Sequence, residues 1–447
     1  MRIVIIGGDA AGMSAAMQIR RRQPEWEVGV FEKGRHTSYG ACGIPYVFSG
    51  DVASLDSLVV ISPEGFHKKG VDVRTGHEVI AIYPEQQTVE VNPPSGETER
   101  HSYDKLLIAS GARAILPAWP GRELTGVTPV KTLADAQHLS SLLQHQPRRA
   151  VIVGAGYIGL EMAEGLRKQG LEVTVLEKLP GVMGNLHPEI HSQVTTALEQ
   201  AGVALHLGVT VTGFQGEEGQ LRSVTTDQGE FAADIAIISL GVRPNVDFLA
   251  GSGVVLGASG AIAVNAYQQT SDTHIYAAGD CAEAYHRVLQ EPAYIPLALT
   301  ANRQGRVAGT HICGGQEAFP GIVGSAVTKV FELVVARTGI DAASAERAGI
   351  PYRLAEAKAP AKAHYYQGHG EVWVQLMYHA ESHVLLGALM AGDDPSLGKR
   401  CDIVATAISG GMTVLELSDL DLCYAPPFAP VWDPVLQAAN KARFELV

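Results

Sequence analysis

The chain has 447 residues, enough for about three domains at roughly 150 residues each. With 46% hydrophobic and 18% charged residues it can build a core, which excludes disorder as its main state. A formal net charge of −13 argues against nucleic-acid or anionic-membrane partners, and no apolar run approaches the roughly eighteen residues of a membrane span.

In chain order, Arg2–Ile6 is an apolar β run, followed by Gly7, Gly8, Asp9, Ala10, Ala11 and Gly12. A helix is predicted over 13–22 and a second strand over 28–31, closed by Glu32. The glycines interrupt the apolar run and Arg20, Arg21 and Arg22 follow it, so this is a strand–turn–helix and not a secretion signal. About 150 residues later the plan recurs. A strand over 150–153 leads into Gly154, Ala155, Gly156, Tyr157, Ile158 and Gly159, then a helix over 160–168 and a strand over 172–176 closed by Glu177.

Small residues suit such a turn for a physical reason. It is tight, the backbone must approach a pyrophosphate, and the helix N-terminus offers free N–H groups. The acidic residue closing the second strand accepts hydrogen bonds from an adenosine ribose. The second copy is complete, whereas Asp9 stands where the middle glycine of the first usually sits.

Two later segments decide what the first copy binds. Residues 103–112 form a β run ending in the small residues Ala109, Ser110 and Gly111, and residues 273–280 form an apolar strand ending in Gly279 and Asp280. An Asp there can accept hydrogen bonds from the ribityl chain of a flavin. Bracketing the second motif, these segments read as two halves of an FAD domain interrupted by an NAD(P) domain. The expected fold class is therefore α/β, with two Rossmann-like nucleotide-binding domains and a C-terminal α+β domain.

The five cysteines, at 42, 281, 313, 401 and 423, form no disulfide or zinc spacing, which points to a reducing cytoplasm. No metal is expected either, since His364, His369, His379 and His383 lack ligand spacing. Cys42 lies between Gly40 and Gly43, just ahead of Pro45, a residue suited to a first helical turn. Locally it reads either as a small buried hydrophobe or as a nucleophile whose thiolate a helix N-terminus stabilises.

The stretches GGDAAGMSAA, SYGACGIPY, YDKLLIASGA, GAGYIGLE, GVRPN, IYAAGDC, TKVFELVVARTG and YAPPF together carry a resemblance. The chain resembles the single-cysteine branch of the flavin-dependent pyridine nucleotide–disulfide oxidoreductases. Within it, the chain is most similar to coenzyme A-disulfide reductases and their persulfide-reductase and NADH-oxidase relatives. The resemblance implies that Cys42 is the redox centre. Val47 stands where glutathione-reductase-like enzymes have a second cysteine, so Cys42 would form a mixed disulfide, a persulfide or a sulfenic acid.

It further implies an FAD domain over 1–113 and 245–322, an NAD(P) domain over 114–244, and a dimerisation domain over 323–447 of a homodimer. Expected cofactor contacts are Gly7, Gly8, Ala11, Gly12, Glu32, Lys33, Ala109, Ser110, Gly111, Gly279 and Asp280 in the FAD domain, and Gly154, Gly156, Tyr157, Ile158, Gly159, Glu177 and Gly241 in the NAD(P) domain. Tyr424, in YAPPF, matches a tyrosine beside the reactive cysteine of the other subunit, and Tyr365 offers a second phenol. Ser14, Gln18, Arg21, Ser38 and Asn302 match contacts to coenzyme A.

Three departures stand out: Ala41 replaces an Asn, Gly70, with Lys69 beside it, stands near an expected basic residue, and Trp432 replaces another basic residue. They lead to the expectation of a smaller or more apolar disulfide, or a persulfide, as an alternative to coenzyme A disulfide. Glu177 suits the free 2′-hydroxyl of NADH, and Lys178 leaves NADPH open. Rival readings are an NADH oxidase or peroxidase cycling Cys42 through sulfenic acid, a cysteine-independent electron-transfer reductase, and a redox sensor.

Overall fold

The computed structural model describes residues 1–184 and 186–446. Ile3, Val4, Ile5 and Ile6 are all buried, as in a parallel strand covered on both faces. Their strand, Arg2–Ile6, is central in a five-stranded parallel sheet with the order Ile275–Ala277, Lys105–Ile108, Arg2–Ile6, Glu27–Glu32, Asp72–Thr75. The strand from residue 275 thus joins strands from the first 110 residues.

A second five-stranded parallel sheet has the order Ala204–Leu207, Glu172–Glu177, Arg149–Val153, Ile235–Ile238, Val127–Pro129. The two chain connections between these sheets run side by side as an antiparallel pair, Ala112–Ala114 with Val242–Pro244. Two antiparallel meanders, over 78–102 and 211–232, add one to each sheet. Among the described residues, no helix is long and apolar enough to cross a membrane.

Beyond residue 325 the pattern changes to an antiparallel sheet ordered Ala326–Val330, Leu333–Gly339, Leu385–Gly392, Glu371–His379, Tyr352–Pro360. Strands Glu371–His379 and Leu385–Gly392 pair in antiparallel register, with Val374 opposite Met390. Helices Leu397–Gly410 and Pro434–Leu446 bury Val404, Ala407, Val435, Ala438 and Ala442 in one core with this sheet.

Two helices begin earlier than the sequence suggests: Ala10–Arg22 and Tyr157–Lys168 replace the expected starts at 13 and 160. In the two glycine-rich motifs, residues read as turn already close helical bonds. Met13 N–H donates to the Asp9 carbonyl and Leu160 N–H to the Gly156 carbonyl. Small residues that permit a tight turn also permit an early helix, and composition does not separate the two.

One hydrophobic cluster crosses the boundaries that matter for the site. Ile44, Phe48 and Leu58, from the cysteine segment, share it with Leu160 and Met162 of the second-motif helix and with Leu333 and Trp373 of the C-terminal sheet. The segment after Cys42 is therefore packed against both other parts of the chain.

Candidate active site

The two glycine motifs are built alike. A Cβ on Gly12 would stand 2.0 Å from the Gly7 carbonyl oxygen, and one on Gly159 would stand 2.0 Å from the Gly154 carbonyl oxygen. Only glycine lets each helix approach its turn so closely. Neither helix has a side-chain cap, so the leading N–H groups of both remain free for an anion.

Glu32 accepts from Gly8 N–H (2.7 Å) and Gly34 N–H (2.6 Å), and Glu177 accepts from Ala155 N–H and Leu179 N–H (both 2.8 Å). A carboxylate has about four acceptor sites, so both keep capacity for ribose hydroxyls. Space around Gly156 is open, and a Cβ there would meet nothing within 4 Å. These features fit two dinucleotides, one per motif.

The other cofactor candidates are distributed over both nucleotide-binding units. Ala109 N–H donates to the Ile6 carbonyl, and Ser110 Oγ donates to the Asn245 carbonyl across the two chain connections. Gly241 and Gly111 hold positive φ, and the Gly241 carbonyl receives Ile115 N–H. Gly279 N–H is held by buried Gln304, while Asp280 pairs with Lys131 at 3.3 Å. Lys33 pairs with Glu78. Tyr157 and Ile158 turn their side chains into the shared core, which leaves their backbone as the part available to a phosphate.

Cys42 is exposed and sits in a single 3-10 turn, Ala41–Gly43, directly before the short helix Ile44–Phe48 with Pro45 in its first turn. The expected thiolate stabilisation is not supplied by the chain's own groups. Burial of the sulfur's surroundings pushes the thiol up, Lys131 opposes this, and the carboxylates of Glu161, Asp280 and Asp9 add to the rise.

Behind the cysteine, Tyr46 Oη donates to Glu161 (3.2 Å) and Thr328 Oγ1 donates to the same carboxyl oxygen (2.8 Å). Burial raises the pKa of Glu161. One turn on, buried Glu164 accepts from Lys329 (2.6 Å), Lys168 (2.8 Å) and Phe331 N–H (2.8 Å). These bonds tie the cysteine helix, the second-motif helix and the first hairpin of the C-terminal sheet together.

Ser14, Gln18, Arg21, Ser38 and Asn302, scattered over nearly 290 residues, all line one cleft of about 380 Å³. Ser14 Oγ donates to Asn302 (2.7 Å), and Gln18 donates to Thr310 (2.8 Å). Ser38 has φ +48°, and its segment bridges to Val59 before turning into Cys42, so cleft wall and thiol belong to one short stretch.

Tyr365 and Tyr424 place their hydroxyls 3.4 Å apart, both exposed, in company with exposed Phe428, Val431 and Trp432. Within one chain, neither phenol is among the groups around Cys42. Cys281 is fully buried, with its thiol donating to the Ile108 and Ala278 carbonyls. Cys401 is buried, Cys313 partly so, and Cys423 exposed.

Lys131, Glu161, Tyr46 and Thr328 carry no signal of their own in the sequence. Glu161 ends the GYIGLE stretch, where it is one more helical carboxylate, and Lys131 precedes an ordinary N-cap at Thr132. No spacing links either of them to residue 42.

Comparison with known proteins accords with this architecture. Residues 1–305 match the family described as pyridine nucleotide-disulphide oxidoreductase, and residues 325–434 match its dimerisation domain. The chain belongs to the pyridine nucleotide-disulphide oxidoreductase family. It is 38% identical to the NAD(P)H coenzyme A polysulfide/persulfide reductase of Pyrococcus horikoshii, over 99% of this chain and 98% of that protein. It is 30% identical to coenzyme A disulfide reductase of Staphylococcus aureus, over 99% and 100% of the two chains. Among solved structures, the NAD-dependent persulfide reductase from A. fulgidus superposes with a TM-score of 0.96 at 35% identity, covering all of this chain and 84% of that one.

Proposed function

We propose that this protein is an FAD-dependent NAD(P)H:disulfide oxidoreductase that reduces coenzyme A disulfide, or the corresponding persulfide, through Cys42. The observation that carries this reading is the exposed Cys42 thiol at the end of the stretch that begins in the Ser38 wall of the cleft. Residues 1–113 with 245–322 would hold FAD, 114–244 would hold NAD(P)H, and 323–447 would join two copies into a homodimer that brings Tyr424 and Tyr365 toward the thiol of the other subunit. Five unpaired cysteines accord with a reducing cytoplasm.

The Cys42 thiolate attacks one sulfur of the bound disulfide, forming a Cys42–S bond and releasing the other half as a thiolate, which takes up a proton. Bound FAD would supply the two electrons, drawn from NAD(P)H, that with one proton return a mixed disulfide to the Cys42 thiolate and the second thiol. Lys131 opposes the burial that disfavours the thiolate, and the Tyr46–Glu161–Thr328 bonds fix the helix that follows. A phenol on the leaving side donates a hydrogen bond to the departing sulfur.

The test is anaerobic NADH and NADPH consumption with coenzyme A disulfide, coenzyme A persulfide and peroxide as competing acceptors. A sulfur acceptor is expected to dominate. Dominance of peroxide would transfer the assignment to the oxidase and peroxidase relatives.

Asp9 gives the first motif a pH dependence. Burial, with Glu32 adding and Tyr39 N–H opposing, raises its carboxyl to about 6. The group is therefore neutral below that pH and anionic above it, in the turn that receives a pyrophosphate. FAD affinity of the apoprotein is expected to fall about three- to tenfold as pH rises through 6. Asp9→Asn should flatten the profile; an unchanged slope in fluorescence titrations of the variant would remove Asp9 from the account.

A further inference from the structure

The coenzyme A cleft contains two arginines that no sequence motif marks. Its lining holds three guanidinium groups, Arg21, Arg303 and Arg306, and no carboxylate. In a chain of net charge −13, such a one-signed rim is not a background property of the surface. Arg21 and Arg303 enter no ion pair among the described residues; Arg303 is steadied by stacking over Phe319, 5.2 Å from its ring centroid. Arg306 is oriented by Glu317 at 2.6 Å, an exposed pair that leaves guanidinium donors unused.

The fold brings these groups together by a close helix crossing. A Cβ on Gly305 would stand 2.1 Å from the Ala11 carbonyl oxygen, and one on Gly309 would stand 2.8 Å from that of Ala15. Helix Ala298–Ile312 therefore lies directly on helix Ala10–Arg22, with the Ser14–Asn302 and Gln18–Thr310 bonds spanning the seam. Arg303 and Arg306, one turn apart, face the cleft from one wall and Arg21 from the other. Met13, Met17 and Ile61 form an apolar floor beneath them.

The geometry also accounts for Gly70. The space a side chain would take there holds the Arg20 guanidinium, 2.5 Å from a Cβ position, and Arg20 is committed to the Pro24 and Trp26 carbonyls. Gly70 is not part of the cleft lining, whose positive charge comes from Arg21, Arg303 and Arg306.

We propose that Arg303 and Arg306 are specificity-determining residues that, with Arg21, clamp the phosphate groups of a phosphorylated thiol substrate, so that this site selects a nucleotide-bearing disulfide over a smaller or apolar one. The proposal rests on the disulfide reductase reading for its consequence in turnover, but not for the binding itself. Guanidinium forks match phosphate oxygens two at a time, and three of them serve more than one phosphate.

The test uses the holoenzyme and two readouts. By calorimetry, adenosine 3′,5′-bisphosphate should bind the wild type and bind at least tenfold more weakly to the double variant Arg303→Met, Arg306→Met. In anaerobic kinetics, that variant should raise KM for coenzyme A disulfide at least tenfold with kcat within about threefold. Pantethine, which shares the disulfide and the arm but has no phosphate, should keep its kcat/KM within about twofold. Equal losses with both disulfides, or unchanged bisphosphate binding, would overturn the clamp. Bisphosphate binding that depends on the arginines, without turnover of either disulfide, would uphold the clamp and discard the reductase reading.

Discussion

Cys42→Ser is expected to lower NAD(P)H-dependent disulfide reduction by about a thousandfold or more, because a serine oxygen cannot form the sulfur–sulfur bond on which exchange depends. The same variant should reduce ferricyanide with NADH at a rate within about twofold of wild type, since that electron transfer needs only the cofactors. Folding is a poor explanation for any loss here. The side chain is exposed and makes no hydrogen bond among the described residues, so the exchange should alter stability by about 0.5 kcal/mol or less. Measuring both activities on one preparation separates the outcomes. Disulfide turnover that survives the substitution would take Cys42 out of the electron path and favour an electron-transfer reductase.

The direction of the Cys42 shift adds a condition to that experiment. With burial and three carboxylates raising the thiol and Lys131 opposing, the chain's own groups hold the thiolate fraction low at neutral pH. An acid with a raised pKa loses its proton later, so the sulfur attack should speed up as pH climbs. Rate comparisons between wild type and variant therefore belong at one fixed pH.

What could be read from sequence was local. The Gly154–Glu177 motif is contiguous, so its strand, turn and helix follow from small residues and a 3.6-residue apolar period, and the structure differs only in where the helix starts. The strand at Ile275–Ala277 was legible as part of the first sheet because the motifs bracket each other in order. The Glu161 and Lys131 surroundings of Cys42 were not, since both arrive from segments about a hundred residues away with no spacing to mark them. Arg303 and Arg306 were hidden for the same reason. On their own helix they are ordinary surface arginines, and only the Gly305 and Gly309 crossing turns that face toward Ser14 and Gln18. A helix N-terminus alone would lower the Cys42 thiol, whereas burial and the carboxylates of Glu161, Asp280 and Asp9, none of them legible from the local sequence, push it up.

Arg400→Met should destabilise the C-terminal domain by about 3–5 kcal/mol, the range for removing one partner of a buried ion pair. Arg400 and Asp433 expose only 4% and 9% of their side chains, and Arg400 Nε donates to the Asp433 carboxylate at 2.8 Å. The same guanidinium donates to the Ala361 carbonyl (2.7 Å) and to Ser396. It thus joins helix Leu397–Gly410, the start of helix Pro434–Leu446 and the end of strand Tyr352–Pro360. Those are the anchors of the loop carrying Tyr424, which is otherwise held by Ala363 N–H on the Pro426 carbonyl and by Gln437 on the Trp432 carbonyl. Thermal unfolding should drop by about 10 °C, and disulfide reduction should fall even at temperatures where the chain remains folded. The double variant Arg400→Met, Asp433→Leu should recover most of the stability, because an apolar pair leaves no buried charge uncompensated. A single variant within about 1 kcal/mol of wild type would mean that water reaches Asp433 and that the ion pair is not what holds the tyrosine loop.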